Sequence, residues 1–257
     1  MDALRSGGQG IYPLRDKVAV VSGASGGIGA ATAHRLAAAG ATVVLGYHRN
    51  SARAQELAEQ LPGAGHWSIG LPAGSTAELD EAARLVGERH GSVDVLVNAA
   101  GVTRRIAHQD LAALDDEVFD EIYTANVRGA FALARAFTPL LRASGDGVLV
   151  NVSSISASTG NGSSIAYCAA KAAVETMGLS LARVLAPEVR VIAVAPAAVD
   201  TDFVPGRDRD ALESQARRTP LRIVADPDDV AVSILGVITH LRLATGTTIV
   251  IDGGLHL

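Results

Sequence analysis

The sequence is poor in cysteine, in aromatic residues and in positive charge. Its one cysteine, Cys168, excludes an intramolecular disulfide, so a reducing, cytoplasmic location is expected. Asp and Glu number 27 against 22 Lys and Arg, and the net charge of −5 argues against a nucleic-acid partner. No apolar run approaches the ~20 residues of a membrane span. The seven histidines lack metal-ligand spacing, so no metal is expected.

Short aliphatic runs alternate with longer helical patterns along the chain. The runs are nearly continuous in Val, Ile, Leu and Ala, which is typical of parallel strands covered on both faces. The alternation predicts an α/β fold: a doubly wound seven-stranded parallel sheet with helices on both faces. Strands are predicted at 17–22, 42–47, 65–69, 93–98, 147–152, 190–195 and 248–251, and helices at 28–39, 51–61, 75–91, 126–143, 167–186 and 227–240.

No linker divides this pattern, so residues 14–257 are predicted to form one domain. The Gly-rich segment 1–13 has no apolar core of a signal peptide and is expected to be a flexible tail. A long polar stretch, about 200–223, follows the sixth strand and contains Pro205 and Gly206. Such a stretch is predicted to be a lid over a site, and a solvated surface loop is the alternative.

A glycine-rich turn joins the first strand to the first helix. Its spacing is Gly-x3-Gly-x-Gly, and tight turns need glycine whether or not they bind a ligand. After a first strand, however, this arrangement places a diphosphate on free N–H groups at a helix N-terminus. A dinucleotide site is therefore predicted, with these candidate residues: Gly23, Ser25, Gly27, Ile28 and Gly29.

The end of the second strand bears on the choice of cofactor. An acidic residue there would bind the ribose 2′-hydroxyl of NAD, but the sequence has Tyr47-His48-Arg49-Asn50. Arg49 could pair with a 2′-phosphate, with His48 beside it. NADP(H) is therefore favoured over NAD(H), and the alternative is that both are ordinary surface residues.

Tyr167 and Lys171 lie four residues apart, on one face of a predicted helix. A phenol has a pKa near ~10, and a nearby cation is expected to lower it. Such a tyrosine can exchange a proton with an alcohol or a ketone, and Ser154 can donate a hydrogen bond to the same oxygen. An isolated Tyr-x3-Lys match would more often be a packed ring beside a solvated amine.

These motifs occur together in an order that resembles the short-chain dehydrogenase/reductase family, from about Leu14 to the C-terminus. Residues 94–101 resemble the family's motif after the fourth strand, and 250–254 resemble its last strand. The resemblance implies a Rossmann fold and hydride transfer between a nicotinamide and a carbonyl or alcohol carbon. It implies catalytic roles for Asn126, Ser154, Tyr167 and Lys171, and it adds these cofactor contacts: Asn98, Ala99, Gly101, Tyr167, Lys171, Pro196, Val199 and Thr201.

The resemblance also implies how the roles divide. Tyr167 would be the general acid in reduction, Ser154 would polarise the carbonyl, and Lys171 would lower the tyrosine pKa and hold the ribose. Asn126 would anchor a water for proton resupply, and Ser153 would be structural or lie near the cofactor. The sequence departs from the family pattern at Ser22, Ala99, 69–72 and Ala197. Alanine at 197, where glycine is common, requires a negative φ.

The substrate is less well determined. Residues 102–104 and Asn161-Gly162 resemble the 3-oxoacyl-(acyl-carrier-protein) reductase branch, so the small carbonyl or alcohol substrate is expected to include carrier-bound thioesters. An acidic carrier could meet a basic rim, although a solvated helix edge would explain the same arginines: Arg104, Arg105, Arg128, Arg135 and Arg142. The rivals are an NAD-dependent secondary-alcohol or polyol dehydrogenase and a non-catalytic nucleotide-binding sensor. The resemblance also implies a homotetramer built on helices 126–143 and 167–186.

Overall fold

The computed structural model describes residues 14–257; residues 1–13, predicted to be a flexible tail, lie outside the described part. Within that part the strands form one parallel seven-stranded sheet in the order β3-β2-β1-β4-β5-β6-β7. The predicted α/β Rossmann architecture is therefore confirmed. The strands are β1 Val18–Ser22, β2 Thr42–Tyr47, β3 Trp67–Gly70, β4 Val95–Asn98, β5 Gly147–Val152, β6 Val189–Pro196 and β7 Thr247–Ile251.

Helices cover both faces of the sheet, and polar caps begin most of them. Asn50, Ser75 and Ser164 each accept a hydrogen bond from a backbone N–H of the first turn, which satisfies a donor that the helix leaves free. The helices are α1 Gly27–Ala38, α2 Ser51–Gln60, α3 Thr76–His90, α4 Asp116–Tyr123, α5 Gly129–Ala143, α6 Ser156–Thr159, α7 Ile165–Leu185, α8 Arg209–Ala216 and α9 Pro227–Thr239.

Two helical segments differ from the prediction. The helix expected at 126–143 begins earlier, because α4 leads through a π-helical turn, Thr124–Arg128, into α5. Asp115 caps α4, and Asp116 and Glu117 occupy its first turn, where acidic side chains are favoured. The predicted lid 200–223 is not wholly irregular, since it contains α8, which Asp208 caps.

Apolar side chains fill a core on each face of the sheet. One core joins Val21 and Leu45 to Leu36 of α1 and Ile234 of α9. The other joins strand residues to α3 and α5, with Phe137 fully buried. Among the helices of residues 14–257, none combines the length and the apolar character that a membrane crossing requires.

All strands point the same way, so the loops after their carboxyl ends meet at one edge. The chain leaves β1 towards β2 on one side, whereas β4 lies on its other side. A crevice forms where the strand order reverses in this way, and ligands of such folds bind there. The glycine turn after β1 and the segments after β4, β5 and β6 surround that point.

Candidate active site

A cleft of about 1850 Å³ opens above this edge of the sheet. Its wall includes the glycine turn at one end and Ser154, Tyr167 and Lys171 at the other. The structure thus brings most of the predicted site residues to one cavity. Those lining it are Gly23, Ser25, Gly27, Ile28, Gly29, His48, Arg49, Ala99, Gly101, Ser154, Tyr167, Lys171, Pro196, Val199 and Thr201.

The glycine turn is held by close backbone contacts. Gly23 has φ 67°, and a Cβ there would lie 2.9 Å from the backbone N of Ala100. A Cβ on Gly29 would lie 2.3 Å from the Gly23 carbonyl oxygen, so α1 packs against the turn only with glycine at that position. Gly26 precedes α1, and no side chain caps the helix there. The first N–H groups of α1 therefore remain available for an anion.

The end of β2 forms the far rim of the cleft. His48 and Arg49 are exposed and line it, while Asn50 accepts a hydrogen bond from Arg53 N–H at 3.0 Å as the cap of α2. Leu71, in the segment that departs from the family pattern, is buried and packs over Gly46. The described rim at this point offers a cation and no carboxylate to a ribose.

Asn98 is not on the cleft wall. Its Oδ1 accepts from the Ser22 hydroxyl at 3.0 Å, and its Nδ2 donates to Asn151 Oδ1 at 3.3 Å. The three residues sit side by side at the ends of β1, β4 and β5. Ser22 Oγ also accepts from Ala100 N–H at 3.2 Å. Asn98 therefore joins strand ends beneath the cleft, whereas Ala99 and Gly101 reach its surface.

Tyr167 lies in the first turn of α7, where its N–H donates to the Ser164 cap at 3.2 Å. Its ring is buried and lies 5.9 Å from the ring of Phe203. Burial raises the pKa of the Tyr167 phenol, and the Ser154 hydroxyl and the Arg207 guanidinium oppose that rise. The expected lowering of this pKa is therefore wrong for this structure, because loss of hydration disfavours the phenolate more than its neighbours favour it.

Lys171 lies one helical turn from Tyr167 and is also buried. Its amine is 5.6 Å from the centre of the Tyr167 ring and donates to the Val152 carbonyl oxygen at 2.7 Å. Burial lowers the pKa of Lys171 to about 8, and the carboxylate of Glu175 opposes this. The amine is thus positioned by the end of β5, next to the reacting end of the cleft.

The two neighbouring serines have different environments. Ser154 Oγ donates to Ser156 Oγ at 3.1 Å and accepts from Ser156 N–H at 3.2 Å, and Ser154 lines the cleft. Ser153 donates to Glu175 Oε1 at 2.7 Å. Ser154 can therefore present its oxygen to a ligand beside Tyr167, whereas Ser153 ties β5 to α7.

Asn126 lies in the π-helical turn, behind the cleft wall. Its Nδ2 donates to the carbonyl oxygens of Val102 at 2.9 Å and of Ile122 at 2.8 Å. Its Oδ1 is buried without a partner in the described residues. The π turn offsets the helix at this residue, a distortion that often occurs at functional sites. A buried acceptor without a partner is where an ordered water would bind.

The segment after β6 completes the cofactor end. Thr201 lies against the glycine turn, since a Cβ on Gly27 would touch its methyl group at 3.4 Å. Val199 pairs with Ala225 in a short parallel bridge. Ala197 does not adopt a positive φ, so alanine is tolerated where the family commonly has glycine.

The segment 200–223, predicted to be a lid, brings a residue to the cleft that the sequence did not single out. Arg207 follows Gly206 and lines the cleft close enough to Tyr167 to affect its pKa. Its Nη2 donates to the Val199 carbonyl oxygen, and its Nε is buried without a partner in the described residues. Arg105, considered above only for a carrier-facing rim, donates to the Gly206 carbonyl oxygen at 2.9 Å. No periodicity or motif marks Arg207, because an irregular loop positions it.

Sequence comparison agrees with this geometry. A family model described as enoyl-(acyl carrier protein) reductase matches residues 23–256. The chain belongs to the short-chain dehydrogenase/reductase family of oxidoreductases, which act on CH–OH and C=O groups. It is 42% identical over 245 residues to a protein of Streptomyces violaceoruber named as ketoacyl reductase 2 of the granaticin polyketide synthase. That match covers 93% of this chain and 96% of the relative.

Other relatives have different substrates in their names. The chain is 35% identical to a cis-4-hydroxycyclohexanecarboxylate dehydrogenase of Sinomonas cyclohexanicum, over 93% of this chain and 96% of the relative. It is 34% identical to a 3-oxoacyl-(acyl-carrier-protein) reductase of Thermotoga maritima, over 94% of this chain and 98% of the relative.

A solved structure links the fold to a cofactor. A short-chain dehydrogenase from Burkholderia cenocepacia in complex with NADP is 31% identical and superposes with a TM-score of 0.85, covering 96% of this chain and all of that one. The cleft of this chain fits such a dinucleotide, because the glycine turn presents backbone to the cleft and the N-terminus of α1 is uncapped.

Proposed function

We propose that the protein is an NADP(H)-dependent oxidoreductase that reduces a ketone to a secondary alcohol. The observation that carries the proposal is one continuous cleft with an uncapped helix N-terminus at one end and Ser154 beside Tyr167 at the other. A bound nicotinamide would supply the hydride. The protein's own residues would bind and orient the cofactor and the substrate and exchange the proton with the substrate.

Tyr167 is proposed to protonate the substrate oxygen. The Tyr167 phenol carries the proton that the substrate oxygen would receive, as a general acid does in the direction of reduction. Ser154 would turn its hydroxyl from Ser156 Oγ to donate a hydrogen bond to the same oxygen, where negative charge develops.

Lys171 and Asn126 are proposed to support this transfer. Lys171 is fixed by the Val152 carbonyl oxygen and would hold the ribose hydroxyls next to Tyr167. Asn126 has its amide nitrogen fully engaged and its Oδ1 free, so it would hold a water that resupplies the proton. Both roles are positional, since neither side chain touches the carbonyl itself.

A preference for NADP(H) over NAD(H) is proposed from the β2 end of the cleft. Arg49 is exposed there and can pair with a 2′-phosphate, and the NADP complex of a structural relative supports the choice. His48 lies beside it and would add a second donor. Asn98 is proposed to support the segment after β4 from beneath, through its bonds to Ser22 and Asn151.

The proposed substrate class includes 3-oxoacyl thioesters, in line with the names of two relatives. Arg128, Arg135 and Arg142 are exposed along α5 and could face an acidic carrier. Arg104 is engaged by Glu121 in an exposed ion pair, which limits its use there. This basic rim is therefore only secondary support for a carrier-bound substrate.

The rival is oxidation of a secondary alcohol or polyol with NAD, and the name of the dehydrogenase relative favours it. A non-catalytic sensor would not need Asn126, Ser154, Tyr167 and Lys171 together. The test is a panel of ketones, 3-oxoacyl thioesters and secondary alcohols, each with both cofactors. Faster reduction with NADPH than with NADH supports the proposal. Turnover only of alcohols with NAD would replace it by the rival, and no turnover at all would favour the sensor.

We also propose a homotetramer and a lid. Phe131 of α5 and Leu179 and Val184 of α7 are exposed apolar residues on the helices expected to form the interface. Size-exclusion chromatography with light scattering would test the assembly. Residues 200–223 are proposed to cover the substrate, since Phe203 and Arg207 line the cleft. The cytoplasmic location remains a prediction.

A further inference from the structure

We infer that Arg207 and Arg105 bind a carboxylate of the substrate next to the reacting carbonyl. The inference rests on the proposed reduction at Tyr167 and adds the chemical class of the group beside the ketone. Both arginines line the cleft, and Arg105 donates to the carbonyl oxygen of Gly206, the residue before Arg207. The substrate would be a keto acid or its hydroxy acid product.

Arg207 has hydrogen-bonding capacity that the protein leaves unused. A guanidinium presents five N–H donors, and here Nη2 donates to the Val199 carbonyl oxygen while Nε is buried without a partner among the described residues. A buried donor without an acceptor is costly, so native structures rarely retain one without a reason. Nε itself has no accessible surface, so an oxygen ligand in the cleft would bind Nη1 instead, which donates to no acceptor among the described residues.

The charges around Arg207 favour an anion at this place. Burial lowers the pKa of Arg207, Tyr167 and Asp200 oppose this, and the nearby charge of Arg105 lowers it further. Asp200 faces Arg207 but is already paired with Arg209, and Glu121 is paired with Arg104. Asp202 also lines the cleft but is exposed. Two arginines thus meet one another with their nearby carboxylates largely engaged by other residues.

The position of Arg207 near Tyr167 determines which part of a substrate Arg207 would contact. The guanidinium is near enough to the phenol for each to affect the other's pKa, and Phe203 packs 5.9 Å from the Tyr167 ring. A carboxylate bound here would lie at the Tyr167 end of the cleft, which Phe203 and Arg207 both line. The planar fork of arginine matches a carboxylate in two-point geometry, which a lysine does not reproduce.

The experiment compares a keto acid with its neutral ester. Binding of 2-oxobutanoate, whose carboxylate adjoins the ketone, and of its methyl ester to the complex of the protein with NADP⁺ is measured by calorimetry, and reduction of both is measured with NADPH. The wild-type protein should bind the acid more tightly. Arg207→Gln should weaken acid binding about 10- to 100-fold, the range of hydrogen bonds to a charged group, and change ester binding less than about threefold. Arg207→Lys should fall between the two.

Arg217→Gln is the matched control, because Arg217 is exposed at the end of α8 and does not line the cleft. This control should leave the ratio of acid affinity to ester affinity unchanged. Equal binding of acid and ester by the wild-type protein would overturn the inference, whether or not either is reduced. Equal weakening of both by Arg207→Gln would also overturn it and leave only a structural role in the lid. Failure to reduce any ketone, with the difference in binding intact, would instead count against the proposed function.

Discussion

The two ends of the cleft are built from different parts of the chain. The cofactor end is mostly backbone: a glycine turn, an uncapped helix and a Cβ-free contact between Gly29 and Gly23. The substrate end is mostly side chains from separate elements, with Ser154 after β5, Tyr167 and Lys171 on α7, and Arg207 in the lid. At the first end Gly23 and Gly29 leave no room for a Cβ, and the second end depends on where a few polar atoms lie.

Because of this difference, substitutions at the two ends of the cleft should have different effects. A substitution in the turn should disturb packing and cofactor binding together, because the same backbone does both. A substitution at the substrate end should remove chemistry or selectivity while the protein remains folded. The predictions below use that contrast.

Tyr167→Phe should have the largest effect. Loss of the proton donor should lower turnover by at least about 10²- to 10⁴-fold, the range of general acid catalysis, with cofactor affinity nearly unchanged. The ring and its packing against Phe203 remain. Steady-state kinetics and fluorescence titration with NADPH give the two numbers. Unchanged turnover would refute the assigned mechanism.

Arg49→Ala should affect the cofactor end without disturbing its backbone. If Arg49 pairs with the 2′-phosphate, the KM for NADPH should rise about 10- to 100-fold, and the KM for NADH should change little. Arg53→Ala is the control, since Arg53 pairs with Glu56 on exposed α2. Equal changes in both KM values would contradict the assignment.

Gly29→Ala should destabilise the fold by about 1–3 kcal/mol, because the added Cβ would lie 2.3 Å from the Gly23 carbonyl oxygen. Gly236→Ala in α9 is the opposite case, as a Cβ there meets no atom within 4 Å. It should raise stability by about 0.5–1 kcal/mol, the gain expected of alanine in a helix. Urea unfolding of both variants measures the difference, and a neutral Gly29→Ala would disprove the steric account.

Lys171 should make stability depend on pH. Its pKa falls from 10.5 to about 8 on burial, so between these values the unfolded chain holds a proton that the folded chain has lost. The free energy of unfolding should therefore rise with pH across this window. Urea unfolding at two pH values inside it, below the range in which Tyr167 titrates, should give a smaller rise for Lys171→Met. The same rise in both proteins would contradict the prediction.

Ser164→Ala should have the smallest effect, a loss of about 1 kcal/mol from the cap of α7. Ser180→Ala changes the same residue type on the exposed surface of that helix and should cost nothing measurable. Thermal unfolding compares them. Because Tyr167 lies in the capped turn, turnover should fall more for Ser164→Ala than for Ser180→Ala. Equal turnover of the two variants would show that the cap does not affect the position of Tyr167.

The two ends of the cleft also differ in how much of their structure could be predicted from the sequence. Gly23, Gly27 and Gly29 were identifiable because sterics restrict the residue type, and β2 and β5 have their predicted bounds because apolar strands are readable as runs. The early start at α4 was missed, since its pattern is short and acidic. Asn98 was assigned to the cofactor, but its partners across the sheet are invisible in a linear motif. Arg207 depends on the path of an irregular loop, and no local signal encodes that path.

The row formed by Ser22, Asn98 and Asn151 has a consequence for assembly of the sheet. The three occupy matching positions on adjacent strands, so their side chains reach one another only in this pairing. A slip of β4 by one residue would turn Asn98 to the opposite face and leave a buried amide among aliphatic groups. Strands made of Val, Leu and Ala are otherwise nearly interchangeable. The polar row thus favours the native register of β1, β4 and β5 over registers shifted by one residue.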